Sequence, residues 1–119
     1  MESFRELIVW QKSIELAERI YHSTNHFPAT EQFGLTSQIR RCVISIPANI
    51  AEGYGRQSLV DYIRFLKISR GSLYELQSHL ELSNRLAFLN LRDFQEIIET
   101  SNEIGRMLNS LIKKLESKK

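Results

Sequence analysis

Two histidines four residues apart, His22 and His26, have the spacing that lets a pair of imidazoles on one helical face share a metal ion. His79 is the only other histidine, and Glu75 lies one turn before it. A di-iron or di-manganese bundle needs Glu-x-x-His on each of two helices, and no such second motif accompanies His22 and His26. The pair is therefore read as polar residues near a helix C-terminus, where the dipole favours their protonated forms. Neither a metal nor a cofactor is expected. Cys42 keeps register with apolar neighbours and is read as a small core residue, because a reactive thiolate needs an exposed, electropositive setting. Gly53-Tyr54-Gly55-Arg56 is glycine-rich, but it follows no strand and lacks the lysine-serine pair of a phosphate loop. No constellation supports an enzyme, and a non-catalytic protein is expected.

Cationic side chains are the second chemical resource. Sixteen basic against fourteen acidic residues leave a net charge of only +2. The excess is local: residues 31–70 hold Arg40, Arg41, Arg56, Arg64, Lys67 and Arg70 against Glu31, Glu52 and Asp61. Arg40, Arg41, Arg56, Arg64 and Lys67 are the candidate RNA contacts, with Tyr54 and Tyr74 as candidate base-stacking rings. Gln38, Arg41, Ser45, Asn49, Glu52 and Arg56 follow one another at spacings of three and four, a polar stripe that either binds planar or anionic groups or solvates a helix face. Arg70 sits at the edge of an apolar stripe, where it needs a carboxylate or carbonyl partner.

The elements that must position these groups are helical throughout. The 119 residues are 42% hydrophobic with five glycines and two prolines, which suits one domain spanning 1–119 and excludes disorder and collagen-like repeats. No apolar run is long enough to cross a bilayer. The segment Met1–Glu6 lacks the basic and apolar regions of a signal peptide, and a single cysteine suits a reducing compartment, so the cytoplasm is expected. The first helix opens with a capping box, Ser3 with Glu6, and runs to about Asn25. The second spans about Thr36 to Gly53 and is kinked at Pro47, ending where Gly53 and Gly55 can take positive φ. The third begins at Ser58 with Asp61 three residues on, and the fourth begins near Asn90. Gly71 and Gly105 lie inside helices, where close packing explains a residue that costs about 1 kcal/mol relative to alanine. The fold class is all-α: an antiparallel up-down four-helix bundle with a proline-kinked second helix.

The first helix carries two apolar stripes. Leu7, Trp10, Ile14, Ala17 and Tyr21 form the one assigned to the core. Val9, Leu16 and Ile20 form the other, which would face water in a monomer and is assigned to a homo-oligomer interface.

Ser45-Ile46-Pro47-Ala48-Asn49-Ile50-Ala51-Glu52-Gly53, followed by Gly55-Arg56 and Ser58, resembles the signature of the S23, or 23S rRNA intervening-sequence, protein family. Phe27-Pro28, Gln38-Ile39-Arg40-Arg41 and Gly71-Ser72-Leu73 with Glu75-Leu76 extend the likeness over about Leu7 to Leu115. The resemblance implies a bacterial four-helix bundle. It also implies kinship with the accessory proteins of diversity-generating retroelements, which form pentameric, positively charged barrels that bind RNA and a reverse transcriptase. A homo-oligomer, pentameric on that likeness, that binds RNA or a ribonucleoprotein through the basic middle region is the resulting expectation. The alternative is a protein-protein scaffold without nucleic-acid contact, which the small net charge and the acidic residues Glu75, Glu81, Glu96, Glu99 and Glu103 would suit.

Overall fold

The structure is a computed structural model that describes residues 2–119. Helices α1 (Ile8–Thr24), α2 (Leu35–Gly55), α3 (Leu59–Arg85) and α4 (Leu91–Glu116) are joined by short connections, with single 3-10 turns at Phe4–Glu6 and Ala29–Glu31. The described residues contain no strand. Each helix packs on two others, α1 and α3 both lying between α2 and α4, in a body of 45 × 23 × 20 Å. Cross-helix partners step in opposite directions: Ile46 meets Ser69, Ser45 meets Ser72 and Arg41 meets Glu75 along the α2–α3 seam. The same holds between α3 and α4, where Gln77 meets Asn102, Arg70 meets Asn109 and Lys67 meets Glu116.

Local chemistry fixes the ends of α3 and α4. The Ser58 hydroxyl accepts the Asp61 amide at 3.2 Å and the Asn90 side chain accepts the Asp93 amide at 2.8 Å, caps worth about 1 kcal/mol each. Ser3 behaves differently from the expected capping box. Its hydroxyl accepts from Arg5 N and Glu6 accepts from Glu2 N, so the pair closes the 3-10 turn. Leu7 is then extended, and α1 begins only at Ile8. Helix α2 runs uninterrupted through Pro47 and past Gly53 to Gly55. No glycine has positive φ; the left-handed residue of the α2–α3 turn is Gln57 at φ 57°, with Ala87 at 61° serving the α3–α4 turn.

The core corrects the reading of α1. Val9, Leu16 and Ile20 are buried inside the bundle, so they do not form an outward interface. Buried Ser13 and Thr24 complete their stripe, and each donates its hydroxyl to a carbonyl one turn back, Val9 O at 2.7 Å and Ile20 O at 2.8 Å. A hydroxyl satisfied on its own helix can be buried at little cost, so the continuous inward face is 9, 13, 16, 20 and 24. Trp10, Ile14, Ala17 and Tyr21 lie instead on the partly exposed side. Close packing accounts for two interior glycines and not for the third. A Cβ on Gly53 would stand 2.8 Å from the Phe65 Cβ, and one on Gly105 would stand 3.3 Å from Leu73, whereas Gly71 has open space around it.

Candidate functional site

The five candidate basic residues do not form one patch. Arg40 turns to α1, donating to Thr24 Oγ1 at 2.9 Å, Tyr21 O at 3.2 Å and Asn25 Oδ1 at 3.0 Å, with its guanidinium over the Tyr21 ring. It closes the carbonyl end of α1, where a cation is favoured. Arg41 lies across the α2–α3 seam, bonded to Gln38 and to the Glu75 carboxylate. Arg56 and Arg64 converge on one ring, 5.2 and 4.5 Å from the centre of Phe65. Arg70 finds its carbonyl partner in Asn109, at 2.9 Å.

The polar stripe is largely satisfied within the bundle. Asn49 donates to Ser45 O and Oγ at 2.8 and 2.9 Å, and Ser45 Oγ meets Ser72 Oγ at 2.9 Å. Arg56 pairs with Glu52 at 3.6 Å. Two acidic residues of α4 are likewise engaged: Glu103 holds Lys12 at 2.8 Å, and Glu96 holds Arg19 and Arg92. These guanidinium contacts keep the Glu96 carboxyl below the ordinary carboxylate range.

One end of the molecule gathers positive charge. Arg64, Lys67 and Lys119 line an open groove of about 470 Å³ floored by Val60, Ile63 and Ile68. Lys67 also reaches Glu116 at 3.8 Å, which brings the C-terminal turns of α4 beside the first half of α3. Residues 2–8, 52–70 and 109–119, which gather at that end, hold nine basic side chains against five acidic, while the rest of the chain holds seven against nine.

A second cluster lies midway along the α2–α3 seam. Cys42, Glu75 and His79 bring their ligand-type atoms within 4.8 Å of one another. His79 Nε2 and Glu75 Oε2 are 3.3 Å apart, and Arg41 Nη2 stands 3.7 Å from the Cys42 sulfur. Burial pushes the Cys42 thiol up to about 12, its hydrogen bond with Glu75 adding to the effect and Arg41 opposing it. That bond from the thiol, with those from His79 and the charge of Arg41, lowers the Glu75 carboxyl. An apolar groove of about 290 Å³ runs between α1 and α2, lined by Phe4, Trp10, Ile14, Ala17, Ile44, Pro47, Ala48 and Ala51.

A family model described as 23S rRNA-intervening sequence protein matches residues 5–110. The chain belongs to that family. A crystal structure from Bacteroides thetaiotaomicron VPI-5482, a protein of unknown function from the S23 ribosomal protein family, superposes with a TM-score of 0.80 at 34% identity. The match covers 89% of this chain and 99% of that one. Among curated proteins, none matches.

In this member of the 23S rRNA-intervening sequence family, the Ser45–Gly53 motif is the α2 side of the α2–α3 seam. Ser45 bonds Ser72, Ile46 O accepts from Ser69 Oγ at 2.9 Å, and Gly53 gives room to Phe65 and Tyr62. Its tight spacing records packing between two helices. Lys119 lies 55 positions from Arg64 in the sequence and carries no signal as its neighbour; the return of α4 along α3 brings the two together. Cys42, Glu75 and His79 gave no joint signal, since the register that unites them is set by how α2 lies on α3.

Proposed function

We propose that this chain is a non-catalytic, homo-oligomeric RNA-binding bundle whose RNA contact is the basic end formed by Arg56, Arg64, Lys67 and Lys119. The observation that carries the reading is the segregation of charge along the long axis. Nine basic side chains against five at one end give phosphates a local field that the net +2 conceals. Phe65 beneath two guanidiniums adds a rigid floor to that end, and the family's name, 23S rRNA-intervening sequence protein, supports RNA as the polyanion. Arg40 and Arg41 are assigned to bonds with other helices in this reading, whereas Arg56 and Arg64 pair only along their own helices, with Glu52 at 3.6 Å and Asp61 at 3.4 Å.

Self-association is assigned to the α1–α2 groove around Trp10 and Ile14, an apolar face of α1 that its own bundle leaves open and that carries the large rings of Phe4 and Trp10. The likeness to the retroelement accessory proteins makes five copies the expected number. A labelled, structured RNA titrated with wild type, Arg64→Glu/Lys119→Glu and Arg40→Gln tests the contact. The double variant is expected to lose tenfold or more in affinity and Arg40→Gln to keep it. Equal affinities for wild type and the double variant would contradict the assignment and favour a protein-protein scaffold.

A further inference from the structure

We propose that Cys42 of α2 with Glu75 and His79 of α3 forms a binding site for a transition-metal dication of the zinc class. Three donor types converge: a sulfur, a carboxylate oxygen and an imidazole nitrogen, all within 4.8 Å. Zinc holds sulfur at about 2.3 Å and nitrogen or oxygen at about 2.0–2.2 Å, so a tetrahedral site asks for donor separations near 3.5 Å. The Glu75–His79 pair stands at 3.3 Å already. Closing the remainder needs a shift of about an ångström, within reach of side-chain rotation. Thiolate and imidazole select this class over magnesium or calcium, which prefer oxygen alone.

The scaffold favours the site. Glu75 and His79 are one turn apart on α3 and so project together. Cys42 is fully buried on α2, across the most extensive helix seam of the bundle. Side-chain exposures of 42% for Glu75 and 25% for His79 leave an approach from solvent. That approach is covered by Arg41, whose guanidinium binds the same carboxylate oxygen that faces His79. Arg41 is half exposed, so its guanidinium can exchange the Glu75 carboxylate for solvent. A thiolate and a carboxylate together neutralise a dication, so the guanidinium becomes a surplus charge once metal is bound. Arg41 is thereby a competitor for Glu75. Binding breaks the Cys42 S–H bond and forms a metal–sulfur bond; the proton passes to buffer, and no oxidation state changes. The His22–His26 pair has no third donor of this kind among the described residues.

The test uses the full, reduced chain and Co²⁺ as a spectroscopic probe, with Zn²⁺ as displacer. One Co²⁺ per chain is expected, with a thiolate-to-cobalt charge-transfer band that Zn²⁺ abolishes. Cys42→Ser should eliminate that band, His79→Gln should weaken binding at least tenfold, and Arg41→Gln should tighten it several-fold. A His22→Gln/His26→Gln variant should bind as wild type does. Circular dichroism establishes that each variant is helical; His79, being partly exposed, serves even where Cys42→Ser does not fold. No charge-transfer band in folded wild type, or a band whose affinity His79→Gln leaves unchanged, would overturn the site. So would binding lost only in the His22/His26 variant.

Discussion

Single side chains in this bundle are best understood by where their charge or hydroxyl is spent. Ser13 and Thr24 look polar in the sequence, yet each closes a hydrogen bond on its own helix and is buried. That detail hid the inward face of α1, since the five-residue stripe reads as three apolar residues with polar interruptions. Larger side chains at Trp10, Ile14 and Tyr21 made the outward stripe the more core-like of the two. Glu96 offers a test at this scale. Its carboxyl is lowered from the ordinary 4.5, first by the hydrogen bond and charge of Arg19 and then by Arg92. A carboxylate depressed in the folded state contributes stability that is present above its unfolded value and is lost as pH falls through the folded value. A carboxyl titration followed by NMR should therefore give Glu96 a midpoint below 4.5, and Arg19→Gln should move it upward. An unmoved midpoint would mean the α1–α4 contact does not persist in solution.

Elements were legible where a cap or a period marks them. Ser58–Asp61 and Asn90–Asp93 place the starts of α3 and α4 within a residue, and the apolar spacing through Pro47 carries α2 as one helix. Turn conformation was less legible. Gly53 and Gly55 suggested a left-handed stop, but Gln57 supplies it, because Gly53 is needed inside the seam against Phe65. The glycines give opposed expectations that a single mechanism explains. Gly53→Ala puts a methyl 2.8 Å from the Phe65 Cβ and should destabilise by about 1–3 kcal/mol, the usual cost of overpacking. Gly71→Ala meets open space and should stabilise by about 0.5–1 kcal/mol through reduced chain entropy. Urea denaturation of the two variants decides it, and a stabilising Gly53→Ala would show that α2 and α3 pack less closely than described.

At the scale of the whole molecule, the opposite running of the helices is what redistributes charge. By sequence the positive excess belongs to residues 31–70; in three dimensions Arg40 and Arg41 leave it for bonds with α1 and α3, while Lys119, just past α4, joins Arg64 and Lys67. No helix among the described residues is long and apolar enough to cross a membrane. The apolar groove between α1 and α2 is where the proposed self-association is tested. Trp10→Glu with Ile14→Glu should reduce the mass seen by light scattering toward that of one chain, 13.9 kDa, with helicity retained. Wild type that is already monomeric at micromolar concentration would remove the self-association reading. For the proposed phosphate-binding end the decisive readout is the salt dependence of RNA affinity. Each phosphate contact contributes about 0.7–0.9 to the slope of log affinity against log salt. Wild type should show a steep slope, and Arg64→Glu/Lys119→Glu a slope shallower by about two contacts; equal slopes for the two proteins would mean that this end does not hold the phosphates.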